Sequence, residues 1–177
     1  MTRAELNLQK QAGTRSTISM KLVWFFPAAF IVHDAEETLT VKSFLNAHRH
    51  EPPFSRLPIS QMTTGTFGLS VLLILLVIVG LCSYITKNRT SGQPLFLLLA
   101  STLFMNGVTH VLQALYFRGY TPGVATAVLV IFPYSIWVWR SMNRIHGVKL
   151  AKYLAAGMML QIPLAVGALT VGSLLLL

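Results

Sequence analysis

The chain has 177 residues, of which 54% are hydrophobic and 11% charged, with a mean hydropathy of +0.63. That balance excludes an ordinary soluble domain of this size, and the length suits a single domain. The net charge of +9 sits mainly in short polar stretches between apolar ones, which is how membrane proteins fix orientation, so no nucleic-acid partner is expected.

In chain order, residues 1 to 20 read as a flexible tail, because Arg3, Lys10 and Arg15 stand among Thr, Ser, Gln and Gly with little apolar surface. A first helix is expected from Lys21 to the low forties. Its apolar stretch, Leu22 to Val32, covers only 11 residues, short of the roughly 20 that cross a bilayer. The acidic residues that follow must therefore complete the span. A basic residue before a short apolar run also resembles a secretory signal, but His33-Asp34-Ala35-Glu36-Glu37 stands where a small-residue cleavage site belongs. The segment is read as a retained helix.

Residues 42 to 60 form a polar connector broken by Pro52, Pro53 and Pro58, with His48, His50 and Glu51 expected in solvated loop. The second helix is placed at Met62 to Ile85 and the third at Pro94 to Phe117, where Pro94 suits a first helical position. Arg118 to Gly123 reads as a tight turn. A fourth helix follows from Val124 to Trp139, with Trp137 and Trp139 assigned to an interfacial aromatic belt, and a fifth from Leu150 to Leu177. Gly157, Gly167 and Gly172 suggest close helix packing within it, and a homo-oligomer is a weaker reading. Cys82 is the only cysteine, so no intrachain disulfide exists.

The expected fold is therefore all-α: a tail over 1–20 and a single bundle of five transmembrane helices over 21–177. With five spans, ten of the 14 Lys and Arg fall on the side of the N-terminus and four on the other. The positive-inside rule then makes the N-terminus cytoplasmic, in a multi-pass protein of the plasma (inner) membrane.

The chain has five carboxylate side chains, and Asp34, Glu36 and Glu37 account for three of them within four residues of an apolar helix. An Asp near the centre of a membrane helix costs about 2.5 to 3.5 kcal/mol, so such residues mark interiors and functional sites. At about 100° per residue, His33, Glu36 and Glu37 share one face and Asp34 lies beside it. Asn106 and His110, four apart, share a face of the third helix. Residues 33–37 lie 12 to 16 positions beyond Lys21, and residues 106–110 lie 12 to 16 beyond Pro94. Both sets therefore reach one depth, roughly 18 to 24 Å along their helices. Gln161 reaches the same level from the fifth helix, and Thr63, Thr64 and Thr66 approach from the far side.

Two imidazoles and two carboxylates supply the donor types of a divalent metal site: His33, Glu36, Glu37 and His110 as ligands, with Zn²⁺ first and Fe or Mn²⁺ as alternatives. Asp34 or Asn106 would orient a ligand histidine. The His-x-x-Glu spacing reverses the Glu-x-x-His of di-iron bundles and occurs once where those have it twice; a redox di-iron centre usually asks for more carboxylates than this chain offers, which favours hydrolysis over oxidation. Glu36, Glu37 and Asn106 are the catalytic candidates, and Tyr120 and Gln161 the substrate-contacting ones, with Tyr120 about 15 Å of helix rise above His110. A packed interior in which these acids merely pair with His33, His110 or Arg118 stands against that reading.

The motif His33-Asp34-Ala35-Glu36-Glu37, the later His110 and Tyr120-Thr121-Pro122-Gly123, in that order, resemble the signature of the HXXEE-domain membrane proteins. The resemblance covers about residues 20 to 175. It implies which residues to watch and, the family being of unknown function, no substrate. The leading expectation is a metal-dependent intramembrane enzyme acting on a lipid or other apolar substrate. The alternatives are a metal-free His/Glu acid–base isomerase or cyclase of sterol or isoprenoid type, and a proton- or cation-coupled transporter or metal-binding membrane protein.

Overall fold

Apolar side chains spaced three and four apart set the architecture. In the computed structural model, which describes residues 18–52, 55, 63–146 and 149–175, five helices form. These are α1 (Met20–His48), α2 (Thr64–Lys87), α3 (Gln93–Tyr116), α4 (Val124–Thr126, Ala127–Ile131 and Phe132–His146 in one continuous run) and α5 (Leu150–Leu175). By length and composition α2, α3, residues 124–142 of α4, and α5 are apolar enough to cross a membrane. Of the five expected spans, α1 is the one outside that set. It is long enough at 29 residues, but Lys21, Asp34, Glu36, Glu37 and Lys42 dilute it.

Local chemistry explains the boundaries. Thr63 caps α2, its hydroxyl accepting the Thr66 amide at 3.0 Å, so Thr63 and Thr66 serve the helix end. Pro94 lies in the first turn of α3, where a missing N–H costs nothing. No helix breaker occurs between Lys42 and Glu51, so α1 runs on to His48, beyond the low forties. His48 consequently leaves the expected loop. Its ring packs at 4.3 Å from Phe44 and 4.9 Å from Phe117. At the other end, Ile18 is buried in the core, so ordered packing begins before Lys21. Residues 1–17 of the expected tail lie outside the described residues.

α3 is the central element, packed along α5 on one side and against α4 on the other, while α1 packs on α2 and on the middle of α4. Small residues permit the closest approaches. A β-carbon on Gly157 would lie 2.7 Å from the backbone of Thr102, and one on Gly172 would lie 3.0 Å from the Thr66 carbonyl, whereas Gly167 faces open space. Gly157 and Gly172 thus seat α5 on α3 and α2 within the chain. Trp139 departs from the aromatic belt: its ring packs 4.6 Å from Phe104 and its indole nitrogen is buried without a partner. Trp137 is exposed.

Two prolines inside helices have their consequences absorbed nearby. Pro27 cannot bond the Val23 carbonyl, and the buried Cys82 thiol reaches that oxygen at 3.6 Å. Pro133 cannot bond the Leu129 carbonyl and its ring crowds it. The turn just before it widens to a π-helical segment, Ala127–Ile131, closed by the Phe132 amide on the Ala127 carbonyl.

Candidate metal centre

The buried stripe of α1 reads Phe26, Phe30, His33, and that of α3 reads Phe96, Ala100, Leu103, Gly107, His110. Steps of three and four keep each series on one face. Each apolar stripe therefore delivers a histidine into the interior at the same level. The two imidazole rings meet edge to face with centroids 4.8 Å apart. His33 is fully buried and His110 is 4% exposed.

Glu37, one turn beyond His33, joins them. Its Oε1 lies 3.7 Å from His110 Nε2, and one ligand atom from each of His33, Glu37 and His110 lies within 4.8 Å of the others. Asn106 stands between the imidazoles. Its amide nitrogen donates to His33 Nε2 at 3.0 Å and to His110 Nε2 at 3.3 Å. His110 Nδ1 is buried beside the Pro122 backbone.

Glu36 turns the other way. Its Oε1 accepts from the Tyr120 hydroxyl at 2.6 Å and the Ala125 amide at 3.3 Å. Its Oε2 accepts from the amide of Thr126 at 2.8 Å and the hydroxyl of the same residue at 2.5 Å. Four donors saturate the lone pairs of one carboxylate. They come from the first turn of α4 and the loop before it, so Glu36 caps a helix other than its own.

The segment Tyr120-Thr121-Pro122-Gly123 roofs the site. Arg118 takes a left-handed conformation (φ 50°) and ends α3, with the Gly119 amide on the Ala114 carbonyl. The chain then folds back, and Thr121, fully buried, donates to the His110 carbonyl at 3.2 Å. Gly123, with φ 79°, approaches both histidines: a β-carbon there would lie 2.8 Å from His33 Cε1 and 3.1 Å from His110 Nδ1. The motif is therefore in contact with the histidines and not a loop 15 Å above them, because the turn reverses the helix rise. Partial burial and then the Glu36 hydrogen bond raise the pKa of the exposed Tyr120 phenol, which stays a donor.

The remaining candidates sit around this core. Asp34 is buried with Oδ2 unpartnered, and neither histidine has it as a hydrogen-bond partner. Gln161 extends from α5 to Thr109, donating to its hydroxyl at 3.0 Å. It touches the back of α3 and not the histidines. Sequence reasoning missed Thr126, whose Oγ1 lies 2.8 Å from His33 Nδ1. The only signal was a polar residue in the first turn of an apolar helix, three positions after Gly123.

With that geometry in place, one comparison with known proteins bears on it. A family model described as a protein of unknown function with HXXEE motif matches residues 24–138. The chain belongs to the HXXEE family. No curated protein and no solved structure matches it. The HXXEE match takes in His33, Glu36, Glu37, Asn106, His110, Gly123 and Thr126 and stops before α5, so Gln161 lies outside it. The two halves of the motif's name point to different work: His33 and Glu37 face the interior, and Glu36 faces the roof.

Proposed function

We propose that this HXXEE protein is a metal-dependent intramembrane enzyme, a hydrolase of a lipid or other apolar substrate, in which His33, Glu37 and His110 hold a divalent ion. The observation that carries this reading is the convergence of three ligand atoms within 4.8 Å at a buried position. A tetrahedral zinc ion at about 2.1 Å from each donor spaces its ligands roughly 3.4 Å apart. The 3.7 Å between His110 and Glu37 is close to that, and the remaining separations, up to 4.8 Å, would have to close by up to about 1.4 Å. Rotating the Asn106 amide by 180° turns its oxygen toward the imidazoles, which converts the group between the ligands into a further donor or a hook for a bound water.

Two imidazoles and one carboxylate are the donor set of zinc hydrolases, with Fe or Mn²⁺ as alternatives. The ion would polarise a carbonyl or lower the pKa of a bound water. Asn106 would orient the reacting group. Tyr120, exposed and next to the roof, would meet the substrate. Five helices in the lipid bilayer, with α1 completing its span because its acids face inward, would put the N-terminus in the cytoplasm and the site within reach of lipid. Assembly as a homo-oligomer and residence in the plasma (inner) membrane remain part of this proposal, and no nucleic-acid role is.

The test is elemental analysis of detergent-purified protein. Metal near one equivalent in the wild type, lost in His33→Ala, His110→Ala and Glu37→Gln but kept in Gly167→Ala, supports the reading. Equal and negligible metal in all of them defeats it. A second reading has its own observation: Glu37 Oε1 lies 3.7 Å from His110 Nε2, so the two would serve as an acid–base pair that needs no ion. A metal-free protein whose turnover depends on Glu37 would favour that isomerase-type chemistry. Proton- or cation-coupled flux in proteoliposomes would favour transport.

A further inference from the structure

We propose that Glu36 is a positioning residue that acts through Thr126 to hold His33 in the Nδ1–H tautomer, so that its Nε2 lone pair faces Glu37, Asn106 and His110. The chain of hydrogen bonds has a forced direction. A carboxylate that accepts two backbone N–H groups and two hydroxyls has no donor to offer. The Thr126 hydroxyl has two acceptors, Glu36 Oε2 at 2.5 Å and the Gly123 carbonyl at 3.3 Å, and spends its one proton on them, with Glu36 the nearer. Its oxygen can then only accept from His33 Nδ1, at 2.8 Å. The other face of the ring is compatible: the Asn106 amide, 3.0 Å from His33 Nε2, donates to that lone pair when its nitrogen is turned toward the ring.

The two glutamates of the motif thus divide the labour. Glu37 stands beside the histidines, and Glu36, one residue earlier and about 100° around the helix, ties down the roof and the ring. The same carboxylate caps α4 and bonds Tyr120. Roof closure and imidazole orientation are therefore set by one group. For metal binding this inference rests on the reading above, since a histidine ligand needs its free nitrogen aimed at the ion by a partner on the other nitrogen. The tautomer itself does not depend on it.

The experiment is ¹⁵N NMR of ¹⁵N-histidine-labelled, metal-free protein in detergent, with the His33 resonances assigned from His33→Ala. Wild type and Thr126→Ser, which keeps the hydroxyl, should show His33 as Nδ1–H. Thr126→Val, of equal shape without the hydroxyl, should show a mixture or the Nε2–H form. Zinc affinity should fall about 10- to 100-fold in Thr126→Val and return in Thr126→Ser. His33 as Nε2–H in the wild type overturns the inference, whatever the variants do. So does unchanged Nδ1–H in folded Thr126→Val, or equal impairment of the Ser and Val variants. If the wild type binds no zinc, the metal reading fails while the tautomer measurement still decides this one.

Discussion

The backbone of Gly123 lies against the imidazole of His33, so close that a methyl group on its α-carbon would stand 2.8 Å from Cε1. The same methyl would press on His110, and Gly123 has φ 79°, where a side chain costs about 1–2 kcal/mol before any clash. Gly123→Ala should therefore lower the thermal unfolding midpoint in detergent. It should also reduce bound metal, because the rings must move apart to admit the methyl. Parallel melting and elemental analysis check both effects.

Glu36→Gln and Glu37→Gln should fail in different ways. An amide at Glu36 sets an NH₂ group against donors whichever way it faces, leaving one or two of the four unsatisfied at about 1–3 kcal/mol each. Its signature is a lower melting point. Among the described residues the polar contact of Glu37 is the one to His110 at 3.7 Å, so Glu37→Gln should keep the melting point within a few degrees and lose the metal. Identical effects of the two substitutions on stability would contradict the assignment of roles.

Gly157→Leu should destabilise strongly and Gly167→Leu should not. The first places a side chain into the backbone of Ser101 and Thr102 on α3, and the second points into open space. Overpacking of this kind costs about 1–3 kcal/mol or more. Melting of the two variants side by side reads the difference.

Cys82 is fully buried and bonds the Val23 carbonyl. It should resist maleimide in the folded protein and react once the protein is denatured in SDS, since only an accessible thiolate attacks. Reaction in the native state at the denatured rate would mean that α1 and α2 do not pack as described.

The helices and the meeting of His33 with His110 were legible in the sequence because both follow from spacing. Apolar steps of three and four lead to each histidine, and equal distances from Lys21 and Pro94 bring them level. The opposed directions of Glu36 and Glu37 were not legible. Helix geometry puts both on one broad face, and only the return of the Tyr120–Gly123 segment decides that Glu36 is spent on Ala125 and Thr126. That return depends on a left-handed Arg118, which an arginine does not advertise. The packing of Trp139 was not legible either: its place at the end of the fourth helix suits an aromatic belt, and the π-helical segment before it shifts the register of every later residue in α4.

That segment has a wider consequence. Removing one residue from Ala127–Ile131 would restore ordinary pitch with little net rotation, because the widened turn carries one extra residue through nearly the same angle as an α turn. Thr126 would keep its facing toward Glu36 and His33, whereas the same deletion elsewhere in α4 would turn its two halves about 100° apart. The widened turn is thus a place where the helix can lose a residue without unseating the roof.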